Sequence, residues 1–286
     1  MWLFCHFMTD ISIYQCDQRV DPMNMRTCAV AGMFYPRDPN HLEQLLTRFF
    51  EVAGRSPDLD AKGIVSPHAG YIYSGAVAAR AYAAIPDTFS GTFVVIGPSH
   101  RGFLTAASEI PWETPLGIVD VDGAFIEALG IETDEFSHAS EHSLEVQMPF
   151  IKYRFPRARI APVMMGEQDE ESANDIGEMI VAAARSTKRE IRIVASSDFS
   201  HYIPENVARE QDLYAIEALR TLDTGEFYRR IASRNVSACG YGPITAMVSA
   251  CRAMGAAEGR LLTYATSGDV TGDRNEVVGY AAIAVI

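Results

Sequence analysis

The 286-residue sequence has few cysteines, and they show no pairing pattern. The five thiols are odd in number, scattered, and never in CxxC spacing; they are Cys5, Cys16, Cys28, Cys239 and Cys251. A disulfide framework and a structural zinc finger are therefore not indicated. A reducing cytoplasm is the predicted compartment.

Long apolar runs and an excess of basic charge are also missing. No run reaches the roughly 18 residues that a membrane-spanning helix needs. The apolar opening has no Lys or Arg before Arg19, so it lacks the charged start of a signal peptide. A formal net charge of −13 argues against a nucleic-acid backbone or an anionic membrane as the main partner.

Linkers, internal repeats and low-complexity tracts do not interrupt the chain either. We therefore predict one domain over residues 25–286. Residues 1–24 have no coherent periodic pattern, and we interpret them as a non-native or disordered N-terminal extension. The sequence leaves open whether this segment is translated in the native protein.

What the sequence does contain is an alternation of strand and helix patterns. Apolar runs predict buried strands at 62–66, 92–97, 159–165, 190–196, 260–265 and 277–285. Helical periodicity predicts helices at 40–53, 74–85, 122–130, 143–154, 169–185, 205–222, 225–233 and 241–254. This order predicts an α/β fold with a mostly parallel or mixed sheet covered on both faces. Ligands in such folds bind at the carboxyl ends of the strands.

Three predicted strand ends carry residues that can ligate a metal or transfer a proton. "VSPHAGYIYSG" places His68 after one strand, and "FVVIGPSHRG" places His100 after the next. "IRIVASSDFSHY" places Asp198 and His201 after a third. Each histidine alone could be a structural cap, but independent caps have no reason to converge, and imidazole is the commonest metal ligand. The pattern predicts a metal-centred site at this edge.

Three further residues near these ends have two interpretations each. Cys239, in the glycine-rich turn "SACGYGP", is either a thiolate ligand or a small buried hydrophobe. Asp198 is either functional or a turn cap, which leaves His201 as the better candidate for proton transfer. His142, in "SEHSLEVQMPFI", either contacts substrate or neighbours a helix cap. We interpret the remaining histidines as surface residues: His6, His41 and His138.

Seven separated motifs in one order resemble the Memo-like family. They are "AGMFYP", "PHAGYIYSG", "GPSHRG", "ETPLGIVDVD", "EHSLEVQMPF", "SSDFSHY" and "CGYGPI", and the resemblance runs from about Met25 to Ile286. It implies a three-layer α/β/α sandwich similar to the class III extradiol non-haem iron dioxygenases. It also implies a metal site on His68, His100 and Cys239. Asp198 and His201 would lie beside that site as catalytic residues.

The resemblance further implies iron or copper as the cofactor and a redox role. It places pocket aromatic residues at Phe34 and Tyr73, with Phe34 standing where the animal member has tryptophan. That animal member is linked to binding of phosphotyrosine peptides. The dioxygenases use two histidines and a carboxylate, and a thiolate in that place favours copper(I), or iron in a different redox role. Their reaction therefore does not transfer with the fold.

Three functions follow as hypotheses. The first is a redox-active iron or copper protein, an oxidoreductase acting on a small molecule. The second is a zinc hydrolase, because two histidines and a cysteine can also hold a catalytic zinc. The third is a non-catalytic protein that binds a peptide or a small ligand in the same pocket. Oligomeric state is left open.

Overall fold

One mixed sheet organises the chain in the computed structural model, which describes residues 25–54 and 59–286. The interpretation of residues 1–24 falls outside these described residues. Eight strands make up the sheet: β1 Gly63–Ser66, β2 Thr92–Pro98, β3 Ala106–Ala107, β4 Arg159–Met165, β5 Ile191–Ser196, β6 His201–Ile203, β7 Gly259–Thr266 and β8 Val277–Val285.

The strand order brings four strand ends to one edge of the sheet. The order is β3-β4-β2-β5-β1-β8-β6, and β7 also pairs with β8. Strands β4, β2, β5 and β1 run parallel, whereas β3, β6, β7 and β8 pair antiparallel with their neighbours. The last residues of β1 and β5, Ser66 and Ser196, lie in register. The loops after the parallel strands therefore meet in one place.

Eleven α-helices and one 3₁₀ turn connect and cover the strands within the described ranges. They are α1 Pro39–Ala53, α2 Tyr71–Tyr82, α3 Gly123–Leu129, α4 Glu135–His138, α5 His142–Glu145, α6 Met148–Arg154, α7 Glu170–Thr187, α8 Glu205–Ile216, the 3₁₀ turn Glu217–Thr221, α9 Thr224–Arg234, α10 Tyr241–Ala253 and α11 Gly268–Thr271. Aspartates cap several helix starts. Asp38, for example, accepts the backbone N–H of His41 at the start of α1.

Alternating strand side chains build one apolar core on each face of the sheet. Ile64 packs into the core beneath α1, α2 and α6, and its neighbour Val65 packs into the core beneath α3, α7, α9 and α10. This alternation follows from the two-residue period of a strand. The chain is thus a three-layer α/β/α sandwich, as predicted.

The six predicted strands are all present, and the differences concern short elements. Strands β3 and β6 have two and three residues, too few for a visible pattern. The predicted helix 143–154 is two helices, with Pro149 in the first turn of the second. No helix in the described part of the chain has the length and apolar character to cross a bilayer.

Candidate metal centre

Three histidine rings converge at the edge where the parallel strands end. His68 follows β1, His100 follows β2, and His142 begins α5. The ring centroid of His68 lies 5.2 Å from that of His100 and 5.4 Å from that of His142. The ring centroids of His100 and His142 lie 4.5 Å apart. The predicted convergence of His68 and His100 is confirmed, and His142 joins them.

These histidines form a group that could hold a metal ion. One ring nitrogen from each lies within 4.8 Å of those of the other two. His68 is buried with 2% of its surface exposed, His142 is half-buried, and the side chain of His100 is 32% exposed. The group is therefore closed on the His68 side and open to solvent on the His100 side.

Both nitrogens of the His68 ring have close neighbours. Nδ1 lies 2.9 Å from Ser196 Oγ at the end of β5, and Nε2 lies 3.1 Å from Cys239 Sγ. Burial, followed by the neighbouring imidazoles of His142 and His100, lowers the pKa of His68 well below its usual range. The ring is therefore neutral at physiological pH, the form in which imidazole binds a metal.

Glu141 orients His100. The Nδ1–H of His100 donates to Glu141 Oε1 at 2.9 Å, and its backbone N–H donates to Oε2 at 2.9 Å. Burial alone would raise the pKa of Glu141, but the hydrogen bonds from His100 and Ser143 outweigh it and hold that pKa well below its usual range. Because the ionised Glu141 carboxylate accepts the hydrogen bond from Nδ1 of His100, the Nε2 of this ring carries the lone pair that could bind a metal. The Nδ1 of His142 lies 3.4 Å from the same carboxylate oxygen.

Cys239 reaches the site from the turn before α10. Its Sγ accepts the backbone N–H of Asp198 at 3.3 Å, next to the contact with His68. Burial, and then the Asp198 carboxylate, raise the pKa of the thiol well above its usual range, so without a cation it stays protonated. A Cβ on the following Gly240 would lie 2.5 Å from Ser196 O. Glycine therefore permits this turn to approach β5 closely, as its sequence suggests.

Asp198 and His201 lie beside the histidines but do not bond to each other. Asp198 is buried, and its Oδ1 accepts the backbone N–H of His68 at 2.9 Å. Burial raises the pKa of Asp198 to about 6. His201 donates from Nδ1 to the Ser237 carbonyl at 2.9 Å, and no hydrogen bond joins it to Asp198 among the described residues. Ser237, rather than Asp198, orients this ring.

The two predicted pocket aromatics flank Gly70 at the start of α2. The ring of Phe34 lies 4.8 Å from that of His142, centroid to centroid, so Phe34 borders the histidine group. Tyr73 is 38% exposed, and a Cβ on Gly70 would lie 3.7 Å from both its ring and the Phe34 carbonyl oxygen. The Tyr73 side chain and the Phe34 backbone therefore neighbour the loop that carries His68.

The residues that support the candidate ligands were not found from the sequence. Glu141, Ser196 and Gln147 have no local signal that separates them from ordinary caps and core polar groups. His138, which we interpreted as a surface residue, is in fact fully buried, with Nε2 3.1 Å from Ala106 O. This histidine lies in helix α4, which has four residues and is too short for a periodic sequence pattern to reveal its buried face. His41 is exposed, as expected.

Comparison with known proteins identifies the family. The sequence model of the Memo-like protein family matches residues 26–284. The chain belongs to the Memo-like family. A MEMO1 family protein of Methanosarcina barkeri is 46% identical over 267 residues, which cover 91% of this chain and 100% of the relative. A second, from Methanothermobacter thermautotrophicus, is 43% identical over 276 residues, covering 91% and 100%. A third, from Methanopyrus kandleri, is 42% identical over 276 residues, covering 90% and 98%.

Proposed function

We propose that this chain binds iron or copper through His68, His100 and Cys239 and uses the ion in redox chemistry on a small molecule. One observation carries the proposal. Nε2 of the buried, neutral His68 ring lies 3.1 Å from the thiol sulfur of Cys239, in a group with two further histidines. Burying these polar groups costs more free energy than burying apolar side chains in the same place. Their burial together therefore favours a functional role over a structural one.

The residues fit a metal by their chemistry. His68 and His100 each have Nδ1 engaged by an oxygen, which leaves Nε2 for coordination, as is usual for metal-bound histidine. Cys239 adds a soft ligand, which favours copper(I) or a redox-active iron over magnesium or calcium. The exposed side of His100 leaves an open position for substrate.

The neighbouring residues suggest how a reaction would be supported. A bound iron or copper ion supplies electron transfer with substrate. His201, held at Nδ1 by the Ser237 carbonyl, has Nε2 free to accept or donate a proton. Asp198 fixes the backbone of His68. The aromatic rings of Phe34 and Tyr73, with His142, would contact the substrate.

A zinc hydrolase is the second candidate, and the position of His142 favours it. Three histidines with one open position form a known catalytic zinc set, in which the ion activates a water molecule. The group of His68, His100 and His142 meets this description without Cys239. The two candidates differ in whether the third ligand is a sulfur or a nitrogen atom.

The remaining candidate, a non-catalytic binding protein, is supported by a groove beside the site. A cavity of about 440 Å³ is lined by Phe34, Arg37, Leu45 and Ile72, and is large enough for a peptide side chain or a small ligand. The described cysteines are all free, in keeping with our proposal of a reducing cytoplasm.

Metal analysis tests these proposals. The full chain, purified without a histidine tag, is analysed for elements and then titrated anaerobically with copper(I), iron(II) and zinc(II). We expect Cys239→Ser to weaken copper(I) binding far more than zinc binding, because only the soft ligand is lost. Cys28→Ser, which removes a thiol away from the site, is the matched control and should bind as wild type. Equal copper(I) affinity in Cys239→Ser and wild type would refute thiolate ligation, and a zinc preference in all three proteins would support the hydrolase.

A further inference from the structure

Nδ1 of His68 contacts the buried hydroxyl of Ser196, which has three hydrogen-bond partners. Ser196 Oγ lies 2.9 Å from His68 Nδ1, 2.8 Å from Gln147 Nε2 and 2.7 Å from the Ser143 carbonyl oxygen. Ser196 and Gln147 are both fully buried. A serine hydroxyl has one proton and two lone pairs, so these three contacts use its whole hydrogen-bonding capacity.

Two backbone carbonyls determine the direction of every bond in this group. The Ser143 oxygen can only accept, so the proton of Ser196 points to it. The amide nitrogen of Gln147 lies 3.0 Å from the Pro67 oxygen, which also can only accept, so this nitrogen donates both to Pro67 and to Ser196. One lone pair of Ser196 is left, and it can be filled only by a proton on Nδ1 of His68.

A tyrosine hydroxyl contacts the other end of the Gln147 amide. The hydroxyl of Tyr82 donates to Gln147 Oε1 at 3.0 Å, and Tyr82 is itself fully buried. Turning the Gln147 amide over would set its oxygen against the Pro67 carbonyl oxygen, and neither atom can donate. The Pro67 carbonyl therefore determines the orientation of the glutamine, and the tyrosine hydroxyl donates to the oxygen that this orientation presents.

We propose that Ser196 and Gln147 are positioning residues that hold His68 in the Nδ1–H tautomer and so direct its Nε2 lone pair at Cys239 and the metal position. The opposite tautomer would set a nitrogen lone pair against an oxygen lone pair in a buried place, which disfavours it roughly tenfold or more. The use of this lone pair as a metal ligand rests on the proposed function. The tautomer assignment does not depend on metal binding, because it follows from the contacts of Ser196 and Gln147.

The structure offers a matched control for Ser196. Ser66 ends the neighbouring strand in register with Ser196 and is equally buried, but its Oγ has no hydrogen-bond partner among the described residues. Replacing either serine with alanine removes one buried hydroxyl from the same edge of the sheet. Only Ser196→Ala removes the acceptor for His68.

The test reads the tautomer in the absence of any metal. The full chain is labelled with ¹⁵N in histidine, stripped of metal with a chelator, and studied by long-range proton–nitrogen correlation at pH 8, where His68 is neutral. The His68 signals are those missing from His68→Gln. We expect the Nδ1–H pattern in wild type and Ser66→Ala, a shift toward the Nε2–H pattern in Ser196→Ala, and recovery of Nδ1–H in Ser196→Thr, which keeps the hydroxyl.

Copper(I) titration of the same proteins separates this proposal from the proposed function. Loss of the orienting group should weaken binding about 10- to 100-fold in Ser196→Ala only. An Nε2–H pattern in wild type would overturn the proposal, and wild type decides this even if Ser196→Ala does not fold. An unchanged tautomer in folded Ser196→Ala would also overturn it. A shifted tautomer with unchanged copper affinity would uphold the positioning role and refute His68 as a ligand.

Discussion

Replacing Glu141 with glutamine should weaken metal binding and also destabilise the fold. The carboxylate accepts three N–H groups: Nδ1–H and the backbone N–H of His100, and the backbone N–H of Ser143. An amide has one oxygen, so in either orientation its NH₂ faces at least one of these donors. A buried donor left without an acceptor costs about 1–3 kcal/mol, and the free energy of unfolding should fall by about that amount.

The effect on metal affinity follows from the same contact. Without the carboxylate, His100 loses the group that fixes its ring and increases the basicity of Nε2, and such losses weaken metal binding about 10- to 100-fold. That range corresponds to about 1.4–2.8 kcal/mol of binding free energy. The affinity is measured anaerobically with copper(I), and in parallel with zinc(II), by competition against a chromophoric chelator. Unfolding in urea supplies the stability.

Glu135→Gln provides the control. Glu135 also accepts one backbone N–H and one side-chain donor, from Glu109 and Ser108, at 2.8 Å each, but it contacts none of the candidate ligands. We expect this variant to lose stability while keeping wild-type metal affinity. If Glu141→Gln and Glu135→Gln bind metal equally well, Glu141 has no part in the metal site and our reasoning about His100 is wrong.

Three further changes test other parts of the structure. Burial lowers the pKa of His138 to about 4; because the unfolded chain takes up the proton near pH 6.5, unfolding free energy should fall as the pH falls from about 6.5 to 4. His138→Gln, which can still donate to Ala106 O, should remove about 3 kcal/mol of that decline, and a parallel pH profile would contradict this. Tyr35→Phe removes a 2.6 Å hydrogen bond to the buried Glu145 carboxylate and should cost about 1.5–3 kcal/mol in urea unfolding; a loss below about 0.5 kcal/mol would exclude a stabilising bond. Gly63→Ala would put a Cβ 2.5 Å from a sulfur of α10 and should lower stability by about 1–3 kcal/mol, whereas an unchanged melting temperature would show that the helix adjusts freely.

The sequence was sufficient to predict the layers of the fold and the edge of the sheet at which His68 and His100 meet. Buried parallel strands are apolar throughout and end in Gly, Ser or Pro, so the ends of β1 and β2 could be recognised, and with them His68 and His100. That these ends lie close together follows from the parallel arrangement alone. No side-chain detail was needed for this step.

The supporting contacts could not be predicted because they depend on pairings distant in sequence. Ser196 is 128 residues from the histidine that it contacts, and Glu141 is 41 residues from His100. Such contacts are determined by strand order and by the packing of α5 against the strand ends. His142 illustrates the limit: its local sequence is that of a cap neighbour, and only the tertiary structure sets its ring against His68 and His100.

The two ways of completing the metal site differ in the protons that they release. Burial keeps the Cys239 thiol protonated in the metal-free protein, so a metal ion can bind its sulfur as thiolate only by displacing a proton. His68 and His142 have pKa values lowered by burial and are already neutral, so their binding releases none near pH 8. If Cys239 is a ligand, calorimetry in buffers of different ionisation enthalpy should detect about one proton released per ion. Cys239→Ser should abolish this release. Release of no proton by wild type would exclude the thiolate and leave the three histidines as the ligands.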